Sequence, residues 1–344
     1  MAAFCGILTG TVHGVWGVTA ARRGGEGMFG ELVVGYLFLG GVGAGALAMS
    51  SLFDLAWVRT PFGASARASV DEALPAERTI SFGLLAGLAA LVLGALFLLF
   101  DLGRIDRVEA LFLRPSATYL TVGSYALAAL ALLGAFLAAV RFAYLPSIAR
   151  SVGRAVEALT VLAGIVVMLY TGLLLQDAAG VAFWHSPLVP VLFALSSLSC
   201  GAAVLLITAF FAEPDERVDR MARMLARIDA AVIVLEVAAA ALFAGLALAS
   251  AHPAESASAM RLACGDLAAW WWGGFVLCGL VIPLAVEAAL FLRRRDAQVV
   301  RAALAVAAAL VLVGGFSMRS AVVETGMHRD LALEEPNAQA FRLD

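Results

Sequence analysis

Apolar residues run along this chain in long blocks, separated by short stretches that carry arginine. Blocks of membrane-spanning length occupy residues 31–58, 79–100, 118–140, 155–175, 188–212, 228–251, 268–292 and 299–323. A helix needs roughly 20 residues to cross hydrocarbon, and in lipid a spanning segment must satisfy its own backbone, which selects helix. The pattern therefore predicts an all-α integral membrane protein, eight transmembrane helices in a bundle. Residues 4–18 are apolar as well, but Thr9, Thr11 and His13 interrupt them and no basic residue precedes them. That stretch is short for a span and lacks the charged start of a signal peptide. It is read as part of an N-terminal interfacial arm, residues 1–30; the helical domain takes 31–323, and 324–344 form a short polar tail.

The arginines orient the bundle. All 23 basic residues are arginine, and most fall after the first, third, fifth and seventh blocks, including Arg59, Arg67, Arg78, Arg141, Arg150, Arg154, Arg217, Arg220, Arg223 and Arg227. The positive-inside rule makes that side cytoplasmic and leaves both termini extracytoplasmic. Loops 101–117, 176–187 and 252–267 then face out. Composition agrees with a bilayer protein: 62% of residues are hydrophobic and 14% charged, and a net charge of −3 gives no reason to expect nucleic acid.

Candidate chemistry is sparse. Cys5, Cys200, Cys264 and Cys278 have no CxxC or CxxxC spacing, so no metal or iron–sulfur site is expected on this chain. A bundle haem needs ligands facing each other in mid-helix, whereas His13, His185, His252 and His328 lie in loops or near segment ends. Gly41 and Gly45, like the Ser196–Gly201 cluster, are read as close helix packing; a dinucleotide loop would need a strand before it. No inverted repeat with paired Gly/Pro-broken spans points to a secondary transporter.

Charged groups inside a span cost roughly 2.5–3.5 kcal/mol each on insertion scales, so each is a functional candidate. Glu236 is the deepest, about 12 Å from the cytoplasmic end of its block. With Glu287 and Asp54 it suggests a cytoplasmic proton half-channel, the alternative being buried acids that only set packing. Asp54 and Arg319 are also read as interfacial groups that snorkel. At the outer end, Tyr170 precedes a loop with Asp177, Trp184 and His185. Oxidising a quinol removes two electrons and two protons, so its pocket must be apolar and offer a hydroxyl, imidazole or carboxylate to each oxygen. Tyr170, Asp177, His185 and Glu31 are such groups on one side. Singly, Tyr170 could instead serve a neighbouring carbonyl, and Trp184 an aromatic belt.

Taken in order, several stretches resemble the NrfD-like membrane-anchor family of polysulfide reductase: Tyr36–Gly45, Asp101-Leu-Gly-Arg-Ile-Asp-Arg107, Thr121–Ser124, Tyr170-Thr-Gly172, Phe183-Trp-His-Ser186 with Pro190–Phe193, Glu236, Pro283 with Glu287, and Arg319–Gly326. The resemblance implies a haem-free subunit of the bacterial inner membrane that works with menaquinone or ubiquinone. Its electrons would pass to an extracytoplasmic, ferredoxin-like iron–sulfur subunit joined to a molybdopterin or cytochrome catalytic subunit. It also implies that Tyr170 hydrogen-bonds the quinone; Tyr36, Glu31, Trp184 and Asp101 are the further candidates for the pocket. Where other members carry Asn and His on the first helix, this chain offers Glu31 and Tyr36, and Ile105 replaces a proline. Arg104, Arg107 and Arg114 are candidates for docking the partner.

Overall fold

The computed structural model describes residues 27–59, 74–102, 119–142, 148–177, 181–292 and 296–327. These form α1 (Gly27–Phe53), which runs into a π turn (Asp54–Val58), then α2 (Pro75–Leu102), α3 (Tyr119–Phe142) and α4 (Arg150–Gln176). A 3-10 turn (Ala182–His185) leads to α5 (Leu188–Phe211), α6 (Glu216–Leu248) and the short α7 (Pro253–Cys264). A π-helical stretch (Ala269–Val281) then continues into α8 (Ile282–Leu292), and α9 (Ala297–Met327) completes the bundle. Among the described residues, eight segments are long and apolar enough to cross a membrane. We call the end where α1 starts and α4 and α9 finish the first face, and the opposite end the second face.

α1 is the central post. Of its spanning window 78% is buried, against 28–61% in the other seven. The reason is its run of small residues, which lets neighbouring backbones approach. Gly43 lies against the backbone of Gly87 and Leu91 on α2, and Gly45 against Ser197 and Gly201 on α5. Gly164 of α4 packs on Ala44 and Ala48. A second seam joins the π stretch to α9, where Gly279 and Gly314 meet. Of the two glycines singled out by their spacing, Gly45 gives the close backbone approach, whereas Gly41 leaves room for the Ser197 and Arg319 side chains.

Three elements differ from the sequence reading. α6 begins at Glu216 rather than near 228, because Asp215 caps it by accepting from the Arg217 N–H at 3.3 Å and Glu216 and Asp219 occupy its first turn. Its opening turns, rich in arginine, carry the helix beyond the apolar block. α7 lies inside the loop predicted for 252–267: Pro253 starts it, and Ala259 and Leu262 bury its inner side. Finally, α1 ends in a π turn closed by the Arg59 N–H donating to the Asp54 carbonyl at 2.8 Å, with Arg59 at φ 58°.

Candidate functional site

Near the first face two phenols meet inside the bundle. Tyr170 stands six residues before the end of α4, about 9 Å inward. It is 3% exposed, and Tyr36 of α1 is 1% exposed. The two side chains face each other, with Ser124 of α3 beside Tyr170. Neither hydroxyl completes a well-directed hydrogen bond among the described residues. A buried phenol normally finds a partner; here each phenol lies within reach of the other, and Tyr170 of Ser124, without well-directed geometry. Gly123 makes room for the pair, because the Tyr170 ring occupies the space a Cβ would take. Across α4, Gly172 lets the helix settle against the backbone of Pro190 at the start of α5.

The turn between α4 and α5 is pinned from below. Phe183 is buried edge-on against Phe243, ring centroids 5.0 Å apart. The Trp184 Nε1–H donates to the Val322 carbonyl at 2.9 Å, and its indole fills the space over Gly326. Trp184 therefore ties the turn to α9. His185 is exposed, its Nδ1 2.9 Å from the Val181 carbonyl; a carbonyl only accepts, so Nδ1 is the donor of this contact. Asp177 is exposed at the end of α4. Asp101 is half-buried near the end of α2, and its Oδ1 has no hydrogen-bond partner among the described residues. It lies one turn beyond Phe97, whose ring covers Gly35 next to Tyr36. The side chain of Glu31, and Arg104, Arg107 and Arg114 entirely, lie outside the described residues.

Slightly deeper sits Arg319, eight residues before the end of α9, about 12 Å inward. It does not snorkel: it is 0% exposed. Its Nε–H donates to the Leu37 carbonyl at 3.2 Å, Nη1 to Ser196 Oγ and the Gly315 carbonyl at 3.2 and 2.8 Å, and Nη2 to Ser197 Oγ at 2.7 Å and the Phe193 carbonyl at 3.5 Å. Its guanidinium also lies over the rings of Phe38 and Phe193, 5.9 and 5.4 Å from their centroids. Gly41 leaves the space that Ser197 Oγ and Arg319 Nη2 fill. Ser196 and Ser197 are thus partners of a buried cation as well as packing residues.

Below Arg319 the polar series continues along α5, α6 and α8. Ser196, which accepts from Arg319, also faces Glu236. Two turns along α6, Asp229 accepts from Ser199 Oγ at 2.6 Å and faces Glu287 of α8. Asp54 is not in this series, nor does it snorkel. It is buried with Arg141 and Glu157: Arg141 Nη2 lies 2.6 Å from Asp54 Oδ2 and 3.0 Å from Glu157 Oε1. Arg141 Nη1 also donates to Ser81 at 3.3 Å. A half-channel of Asp54, Glu236 and Glu287 is therefore split between two sets of helices. The Asp54 cluster neighbours Glu77, which lines a cavity of about 220 Å³ at the second face with Trp57, Leu74, Arg217 and Arg220.

Sequence reading missed Arg141, Glu157 and Asp229. The first two sit at block edges, where charge is expected in any case. Asp229 had a signal: it precedes Glu236 by seven residues, which places both on one side of a helix.

The family described as polysulphide reductase, NrfD, matches residues 24–329. The chain is 30% identical over 271 residues to the C subunit of polysulfide reductase from Wolinella succinogenes, covering 74% of this chain and 81% of that protein. It is 30% identical over 142 residues to protein NrfD of Escherichia coli K12, covering 41% of this chain and 44% of that one.

Proposed function

Because the chain belongs to the NrfD polysulphide reductase family, we propose that it is the quinone-reactive membrane subunit of a respiratory oxidoreductase. It exchanges electrons between a membrane quinone, menaquinone or ubiquinone, and an extracytoplasmic ferredoxin-like iron–sulfur subunit. That subunit is joined in turn to a molybdopterin or cytochrome catalytic subunit. The observation that carries the reading is the Tyr36–Tyr170 pair: two buried hydroxyls without completed hydrogen bonds among the described residues, about 9 Å from the first face. A quinone has two ring oxygens that accept hydrogen bonds and a flat apolar ring, and the pair offers two donors in an apolar surrounding. When bound, the quinone supplies the two-electron chemistry. The chain's part is to orient the ring through the phenols and take up or release protons at their oxygens.

His185 and Asp177 stand at the exposed rim as proton exchangers with water. Trp184 holds that rim against α9. The partner docks at the first face, which arginine placement makes extracytoplasmic.

Tyr170→Phe tests this. It removes one hydroxyl and keeps the ring that packs on Gly123. Quinol-dependent reduction of the partner's clusters is expected to fall by ~10²-fold or more, the usual scale of a lost proton-transfer group, with complex assembly unchanged. Wild-type rates in that variant exclude the site.

A further inference from the structure

We propose that Asp229 and Glu287 bind one exchangeable proton between them, a proton-holding site reached from the second face. The two carboxyl groups face each other from α6 and α8, and each residue is 1% exposed. Ser199 supplies one donor, to Asp229 Oδ1. That leaves Asp229 Oδ2 and both oxygens of Glu287 buried with no hydrogen-bond partner among the described residues. Three buried acceptors beside one another with no donor favour the uptake of one proton: it removes one of two like charges in contact and creates an O–H that joins two of the three oxygens. Among the described residues, no arginine fills that place. The titratable groups next to Asp229 are Cys200 of α5 and Glu236 of α6, and both of these in turn face Arg319 of α9. Arg319 is committed to Leu37, Phe193, Ser196, Ser197 and Gly315. Arg227 of α6 is exposed, over the ring of Phe291 at 5.7 Å.

The position gives the proton a source and a use. Glu287 lies five residues from the end of α8, about 8 Å from the second face, which makes that face the nearer source of the proton. In the other direction Asp229 is linked electrostatically to Glu236, Glu236 to Arg319, and Arg319 donates to the carbonyl of Leu37, the residue after Tyr36. A change of charge at the tyrosine pair thereby alters how firmly the carboxyl pair holds its proton. This coupling rests on the proposed quinone reaction; the proton-holding pair itself does not.

Infrared spectroscopy of the full chain in lipid nanodiscs, without quinone, separates the two. At neutral pH the wild type is expected to show a protonated-carboxyl C=O band that shifts in D2O. Glu287→Gln and Asp229→Asn should each remove it, because the new amide donates to the remaining carboxylate and the proton is no longer needed. Either variant suffices if the other fails to fold. A spectrum in which both variants keep every protonated-carboxyl band overturns the proposal. So does a wild-type band that emerges only when sodium is withdrawn, which would make the pair a sodium site. Adding quinol should then perturb the band in the wild type and leave it unchanged in Tyr170→Phe. A band that is present but indifferent to quinol retains the proton site and rejects its coupling to the tyrosines.

Discussion

Arg319 is a fully buried guanidinium, and its surroundings show how the cost of burying it is met. Five contacts from Nε, Nη1 and Nη2 reach three different helices, two of them to serine hydroxyls and three to carbonyls. Lysine is a point charge with three donors and a shorter reach, so it cannot span this set. Arg319→Lys is expected to destabilise the protein by ~3 kcal/mol or more, since hydrogen bonds from charged donors are worth about 1.5–3 kcal/mol each. A lowered thermal unfolding midpoint in detergent would register it; an unchanged midpoint would mean that the contacts contribute little. The tyrosine pair shows the opposite arrangement. There two polar groups are buried without completing their bonds among the described residues, which suits a site whose partner comes from the membrane.

Among elements, the π turn, the π stretch and the capped start of α6 each shift where side chains arrive. Moving the start of α6 to Glu216 places Glu236 twenty residues into the helix, so its depth is no longer measured from the apolar block. The seam between α1 and α5 is an element contact sensitive to volume. A Cβ at Gly45 would run into the Ser197 carbonyl, whereas one at Gly245 would meet nothing within 4 Å. Gly45→Val is expected to cost at least ~2 kcal/mol, toward the upper end for overpacking, and to lower the amount of folded protein in the membrane. Gly245→Val serves as the control and should accumulate normally. Equal yields would mean that α1 and α5 can separate without penalty.

At the scale of the whole molecule, two of the buried polar sets among the described residues lie apart from each other. One, Asp54, Arg141, Glu157 and Ser81, ties α1, α2, α3 and α4 together near the second face. The other runs from Arg319 through Glu236 and Asp229 to Glu287. The proposed sidedness sets these against the two aqueous compartments. In a background with Cys5 and Cys264 changed to serine, Asp177→Cys should react with a membrane-impermeant thiol reagent added to intact cells. Arg220→Cys, exposed at the other face, should react only after the membrane is opened. The reverse labelling would invert the orientation and move the partner to the cytoplasmic side.

Length and hydrophobicity alone determined the eight spans, because a lipid-crossing helix must be a continuous apolar run whatever it packs against. Small-residue spacing likewise announced the α1 seams, and the ordered motifs announced the family. Partnership was beyond sequence. Arg319 looks the same along the chain whether it snorkels or is buried, and only packing against Leu37, Phe193, Ser196 and Ser197 decides which. Asp54, Glu236 and Glu287 share a type and a side, yet helix arrangement gives Asp54 an arginine and gives Glu287 another acid. The physical reason is that the cost of a buried charge is set by its neighbours in space, and in a bundle most of those come from other helices.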